Sequence, residues 1–84
     1  MATIINLFAG NAFIEEYEVR SNEQAEFSKD LANIRKLLPE RLQKHFHVLN
    51  EYELDAFDID SLECVSCEDY ELIERITTDY WDSL

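Results

Sequence analysis

Carboxylate side chains are the groups in this sequence that could most readily bind a charged partner. The chain has 19 aspartate and glutamate residues against seven lysine and arginine residues, a formal net charge of −12 at pH 7. Residues 51–84 hold twelve acids and one base, a net charge of −11, whereas residues 1–50 hold seven acids and six bases, a net charge of −1. The charge is therefore concentrated in the last two-fifths of the chain.

This concentration of charge predicts an acidic binding surface. Self-repulsion destabilises the compact state of a small domain, and solubility alone needs a net charge of only about 2–8 in magnitude. Acids at alternate strand positions lie about 6.7 Å apart, and acids three or four apart on a helix about 5–6 Å. Such a surface approximates the phosphate density of nucleic acid, about one per 3.4 Å of each strand. The alternative interpretation is a solvated face that serves solubility.

We expect the acidic face to combine a strand over residues 51–60 with a helix over residues 68–82. The predicted partner-binding residues are Glu51, Glu53, Asp55, Asp58, Asp60, Glu68, Glu71, Glu74, Asp79, Asp82 and Trp81. Trp81, with Tyr70 and Phe57, is expected to supply the desolvated apolar anchors that charge alone does not provide.

Histidine and cysteine side chains suggest a second kind of site. Two imidazoles two residues apart (His45, His47) and two thiols three apart (Cys64, Cys67) could supply four tetrahedral zinc ligands. The spacing matches no common zinc template, so small buried thiols are the preferred interpretation. We expect no cofactor, and a zinc-stabilised module remains an alternative.

Catalytic motifs are not recognisable in the chain. With one glycine there is no phosphate-cradling loop, and no Ser–His–Asp or Cys–His spacing stands out. The apolar content of 46% argues against a disordered acidic tail. The N-terminus has no basic region of a signal peptide, and an acidic surface repels anionic lipids. We therefore expect a cytoplasmic protein that is not an enzyme and binds neither membranes nor nucleic acid directly.

The first half of the chain predicts a hairpin and a helix. Residues 3–9 and 12–19 are strand-like and flank a Gly10-Asn11 turn. Ser21 to Gln24 has the form of a capping box. The apolar stripe of the helix that follows is Phe27, Leu31, Ile34 and Leu38. Pro39 ends this helix and suits the first turn of a second, short one.

The second half predicts a strand and a final helix. Tyr52, Leu54 and Ala56 alternate with acids, as in a strand with one face in water. Residues 62–65 form either a fourth strand or the lead-in to a helix capped by Ser66. The expected apolar stripe of that helix is Leu72, Ile73, Ile76, Tyr80 and Leu84. The fold class is a single α+β domain over residues 1–84, in the order ββαβ(β)α, with a small antiparallel sheet of three or four strands and two main helices.

The last helix also resembles a known family. The run Glu68-Asp69, Ile73, Ile76 and Trp81-Asp82-Ser83 is similar to the acidic C-terminal helix of the DinI family, small modulators of recombinase filaments. The similarity covers about the last seventeen residues, and the N-terminal hairpin departs from the family's single opening strand. It implies one way in which an acidic helix could compete with DNA.

These patterns predict a non-catalytic inhibitor that mimics nucleic acid and blocks a basic DNA- or RNA-binding protein or defence nuclease. Its size and charge are typical of phage or mobile-element antagonists of host defence. We expect the inhibitor to be a monomer or a weak homodimer. Besides the zinc module, the remaining alternative is an interaction protein that associates with itself in a salt-sensitive manner. In that case a basic belt would meet the acidic half of a neighbour, and its members are Lys29, Arg35, Lys36, Arg41 and Lys44.

Overall fold

The structure is a computed structural model that describes residues 1–84 and confirms the predicted α+β class. Its strands are β1 (Ala2–Ala9), β2 (Ala12–Arg20) and β3 (Phe46–Asn50), and its helices are α1 (Gln24–Leu37), α2 (Glu40–Gln43), α3 (Glu51–Ala56) and α4 (Cys67–Asp82). The antiparallel sheet has the order β2-β1-β3. None of the helices has the length and apolar character that crossing a bilayer requires.

The predicted hairpin is present, and its turn depends on glycine. Gly10 has a φ of 60°, a left-handed conformation that L-residues with a side chain adopt only at a steric cost. A β-carbon at Gly10 would lie 2.5 Å from the Glu63 carbonyl oxygen, so a later segment of the chain passes close to the turn. The Gly10 N–H donates to the His45 carbonyl at 2.7 Å. The turn therefore fixes the start of β2 and the approach of two other segments.

Helix α1 forms as its periodicity predicts, but its start differs. Leu31, Ile34 and Leu38 are buried in the core that the helices share with β1. The predicted capping box at Ser21 is wrong, because residues 21–23 form a 3₁₀ turn and Glu23 occupies the N-cap position with no side-chain cap bond. The Ser21 hydroxyl instead donates to the Met1 carbonyl at 2.8 Å.

Helix α4 has the predicted cap, and Leu72, Ile76 and Tyr80 of its predicted apolar stripe are partly buried against the core. The Ser66 hydroxyl accepts a hydrogen bond from the Asp69 N–H at 3.1 Å. Ile73 is buried, as predicted, and so is Thr77, whose hydroxyl donates to the Ile73 carbonyl at 2.8 Å. That bond satisfies a polar group inside an apolar core. Leu84 lies beyond the end of the helix and is 75% exposed, so its predicted burial is wrong.

The predicted strand over residues 51–60 is wrong, because β3 ends at Asn50 and α3 begins at Glu51. The Asn50 side chain accepts a hydrogen bond from the Glu53 N–H at 2.7 Å, and the Glu53 carboxylate accepts one from the Asn50 N–H at 3.2 Å. This reciprocal pair is a capping box, which starts a helix. A 3₁₀ turn at Ile59–Ser61 follows, and residues 62–65 form no strand.

The segment after β3 covers the sheet face opposite the main helices. Phe8 alternates with Leu7 and Ala9 along β1, so it points away from the core cluster that contains those two residues. Phe8 is nonetheless buried. Helix α3 contacts β1 and β3, and residues 61–63 line a depression with His47, the partner of Phe8 across the strands. Residues 51–63 therefore lie against the β1–β3 part of this second face.

Candidate functional site

The predicted partner-binding acids are exposed and lack cationic partners. Nine of the ten are exposed, and the tenth, Glu51, is partly exposed. The chain forms one ion pair, in which both terminal nitrogens of Arg41 donate to the Asp69 carboxylate at 3.0 Å. The Arg41 hydrogen bonds lower the pKa of Asp69, which is outside the predicted set. The predicted acids are therefore left to interact with solvent or with a partner.

These acids lie on two parts of the molecule. The helix acids, on α4, are Glu68, Glu71, Glu74, Asp79 and Asp82. The segment acids, between β3 and α4, are Glu51, Glu53, Asp55, Asp58 and Asp60. Helix α4 packs on the core side of the sheet through Ile73, whereas the segment lies over the opposite face. A single surface made of an acidic strand beside an acidic helix is therefore not what the structure contains.

Four of the helix acids form a stripe along the solvent side of α4. At about 100° per residue, they fall within an arc of about 80°, on the side of the helix away from Ile73 and Thr77. Their members are Glu68, Glu71, Asp79 and Asp82, and all four are exposed. Arg75 is exposed on the same arc and is the only cation in α4. The stripe is a nearly uniform line of negative charge with one interruption.

Two of the segment acids accept hydrogen bonds from backbone N–H groups nearby in the chain. Glu53 completes the capping box of α3, and the Asp58 carboxylate accepts a hydrogen bond from the Asp60 N–H at 3.1 Å. Phe57, a predicted anchor, is 43% exposed beside them. Tyr52 is 73% exposed, and sequence reasoning missed it because it assigned this residue to the buried side of a strand. The segment therefore offers two aromatic side chains among its acids.

Tyr70 and Trp81, the other predicted anchors, are partly buried. The Tyr70 hydroxyl donates to the Phe13 carbonyl at 2.7 Å, which ties α4 to β2. Trp81 stacks on Phe27, with ring centroids 5.7 Å apart and planes 7° apart. Its indole Nε1 donates to the Tyr17 hydroxyl at 3.1 Å. Neither residue is a freely projecting anchor on the acidic stripe.

Trp81 lines an open cavity of about 490 Å³ that the sequence did not predict. The cavity lies between β2, the start of α1 and the end of α4. Its other aromatic walls are Tyr17 and Phe27. Acids from the first half of the chain surround it, and these are Glu16, Glu18, Glu23, Glu26 and Asp30. Three of them, Glu23, Glu26 and Asp30, are spaced at i, i+3 and i+7 from the N-cap of α1 onward, and this spacing was the available sequence signal. The nearly neutral net charge of residues 1–50 obscured it.

The predicted alternative zinc site does not come together. No group of three or more histidine, cysteine or carboxylate side chains is arranged to hold a metal ion. Cys64 and Cys67 are free and exposed, so the interpretation as buried thiols is also wrong. His47 is partly buried, and its burial, with the charges of His45 and Arg35, lowers its pKa.

No protein family, curated protein or solved structure matches this chain. No family match supports the similarity of the last helix to the DinI family. What the chain binds has to be inferred from its own charges, cavity and exposed side chains.

Proposed function

We propose that this protein is a non-catalytic inhibitor that occupies the basic nucleic-acid-binding site of another protein, such as a nuclease. The observation that carries the proposal is the line of exposed helix acids on α4, none of which has an ion-pair partner in the chain. Carboxylates left unpaired on one side of a rigid helix are available to the lysine and arginine side chains of a partner.

The linear charge density of α4 supports nucleic-acid mimicry. The fourteen steps from Glu68 to Asp82 correspond to about 21 Å at 1.5 Å per residue. One strand of a duplex places about six phosphates along that length, and α4 presents five acids without an ion-pair partner, the helix acids. A cleft that binds phosphates would therefore meet a similar number of negative charges.

The acidic charges explain a fast approach of the partner better than they explain a high affinity for it. Complementary potentials raise association rates and make them sensitive to salt, whereas a few buried aromatic side chains usually dominate the binding energy. Tyr52 and Phe57, both exposed beside the segment acids, are the side chains we assign to that role. Because the segment lies on the sheet face opposite α4, the helix acids could attract a partner and the segment could hold it only if the partner contacts both faces.

The test begins with a pull-down from a bacterial lysate, eluted in salt steps with and without competing duplex DNA. We expect a discrete nucleic-acid-binding protein that leaves at moderate salt and is displaced by DNA. Association rates of the purified partner are then measured at several salt concentrations. Only scattered basic proteins, all lost at low salt, would mean that the charge serves solvation.

Three variants sharpen the measurement. Neutralising Glu71, Glu74, Asp79 and Asp82 together as Gln or Asn should slow association and flatten its salt dependence. Arg75→Gln removes the one cation from the stripe and should have the opposite effect. Glu40 and Glu63, exposed acids outside the proposed surface, changed together to Gln, serve as the control. If the fourfold variant and this control behave alike, α4 is not the binding surface.

Self-association is checked with the same proteins. Sedimentation of the free chain at low salt should give a monomer if the acidic stripe is directed at another protein. A salt-sensitive dimer would instead indicate that the basic residues of a second copy occupy the stripe.

A further inference from the structure

The aromatic cavity is built from three elements that are distant in sequence. Tyr17 comes from β2, Phe27 from α1 and Trp81 from α4. The Tyr17 and Phe27 ring centroids lie 5.2 Å apart, and each lies 5.7 Å from the Trp81 ring. The rings hold one another in place, so the cavity is preformed rather than assembled around a ligand.

The acids around this cavity have no cation within the chain. Glu23, the N-cap residue of α1, is followed by Glu26 and Asp30 at three- and four-residue spacing along one side of the helix. Glu16 and Glu18 flank Tyr17 in β2, so their side chains lie on the other face of that strand. The one ion pair of the chain lies elsewhere, between Arg41 and Asp69. Three negative charges, of which the Asp30 carboxylate also accepts a 2.7 Å hydrogen bond from the Tyr80 hydroxyl, thus lie beside three aromatic rings in an open cavity without a compensating charge.

Aromatic rings beside carboxylates restrict the chemical class of ligand that the cavity can bind. Aromatic ring faces attract cations, and the carboxylates add both charge and hydrogen-bond acceptors. A bare metal ion does not fit the arrangement, because no three of these acids converge on one point. An uncharged apolar group would gain nothing from the neighbouring negative charges. The cavity therefore suits an organic cation that is flat, apolar on its faces and a hydrogen-bond donor at its edges.

We propose that the cavity bounded by Tyr17, Phe27 and Trp81 binds an arginine side chain of the partner protein. The guanidinium group is planar, weakly hydrated and able to stack on a ring while its N–H groups donate to carboxylates. A lysine ammonium is more strongly hydrated and cannot stack. The inference rests on the proposed function for the kind of partner, and it adds a second contact site away from the helix acids.

The test uses a single side chain as the ligand. N-acetyl-arginine amide is titrated into the protein at fixed ionic strength, and Trp81, the only tryptophan, reports binding by its fluorescence and by its indole N–H resonance. We expect saturation with a dissociation constant of about 1–10 mM, typical of a small ligand. N-acetyl-citrulline amide, nearly the same shape without the charge, should not bind, and N-acetyl-lysine amide should bind several-fold more weakly.

Two double variants test whether arginine amide binds at the cavity. Glu23→Gln with Glu26→Gln removes two charges at the cavity, and we expect a loss of affinity of about 3- to 10-fold, since each charge-assisted contact is modest when exposed. Glu40→Gln with Glu63→Gln removes two exposed charges elsewhere and should leave the affinity unchanged. Both pairs are exposed, so both variants should fold.

Several results would overturn the inference. These are no saturable change up to about 50 mM, equal binding of arginine and citrulline amides, lysine binding as tight as arginine binding, or equal weakening by both double variants. The result is separable from the proposed function. If the cavity fails to take arginine while neutralised helix acids still slow partner binding, this inference falls and the proposed function stands.

Discussion

The Trp81 indole Nε1 donates a 3.1 Å hydrogen bond to the Tyr17 hydroxyl and so joins the last turn of α4 to β2. The same hydroxyl donates to the Glu15 carboxylate at 3.0 Å. Burial raises the pKa of Tyr17 well above its ordinary value, and Glu15 adds to that increase. The phenol therefore stays protonated and keeps both bonds, which hold the end of α4 against the sheet.

Replacing Tyr17 by Phe should destabilise the protein. The change leaves the partly buried indole N–H without its acceptor, and we expect a loss of about 1 kcal/mol in the free energy of unfolding. For a domain of this size that corresponds to a fall in Tm of about 4–8 °C. Urea unfolding followed by tryptophan fluorescence measures it. Tyr52→Phe, at a position 73% exposed, is the control, and equal stability of both variants would mean that the Tyr17 bond contributes nothing.

Replacing Gly10, which is buried at the hairpin turn, by Ala should be strongly destabilising. The left-handed conformation costs an L-residue about 1–2 kcal/mol, and the added β-carbon meets the Glu63 carbonyl. We expect a loss of more than about 2 kcal/mol from the two effects together. Asn11→Ala, in the same turn but without a positive φ, should change stability by less than about 0.5 kcal/mol. Thermal unfolding of both variants compares them, and a harmless Gly10→Ala would contradict the close approach of residues 61–65.

Stability should fall between about pH 7.5 and pH 5.5 through His47. Burial first, then the charges of His45 and Arg35, lower the pKa of His47 in the folded state from its ordinary 6.5. The unfolded chain therefore takes up a proton that the folded chain resists, and the stabilisation present above pH 6.5 is lost as the pH falls.

Urea unfolding at the two pH values measures this loss, which should be smaller in His47→Gln. An NMR titration checks the same point directly, because the His47 ring proton should titrate below 6.5. His45→Gln should raise the pKa of His47 by removing a like charge. Titration of His47 at or above 6.5 in the wild type would refute the prediction.

Periodicity predicted the parts of the fold that pack on each other. Leu31, Ile34 and Leu38 repeat with the spacing of one helix face, and burying that face needs no other information. Residues 51–60 were mispredicted because their alternation fits a strand, while the two Asn50–Glu53 hydrogen bonds favour a helix. In a short segment, such local bonds to the backbone outweigh a pattern of six residues.

The two candidate sites also differ in how far they could be predicted from the sequence. The stripe on α4 is local, so the acids that form it could be named from the sequence, and only their separation from the segment acids required the structure. The cavity brings together Tyr17, Phe27 and Trp81, which are up to 64 residues apart in the hydrogen-bonded pair. Contacts at that separation leave no local pattern for sequence reasoning to find.

Strand β2 pairs only with β1, so its other edge has no strand partner, although the Phe13 carbonyl of β2 accepts a hydrogen bond from the Tyr70 hydroxyl. An open edge of this kind can template pairing with another chain and lead to aggregation. Glu15, Glu16 and Glu18 are exposed along it, and two such edges brought together would place like charges opposite one another. The glutamates of β2 thus also act against fibril growth, and replacing them with neutral β-formers would endanger the protein's long-term colloidal stability.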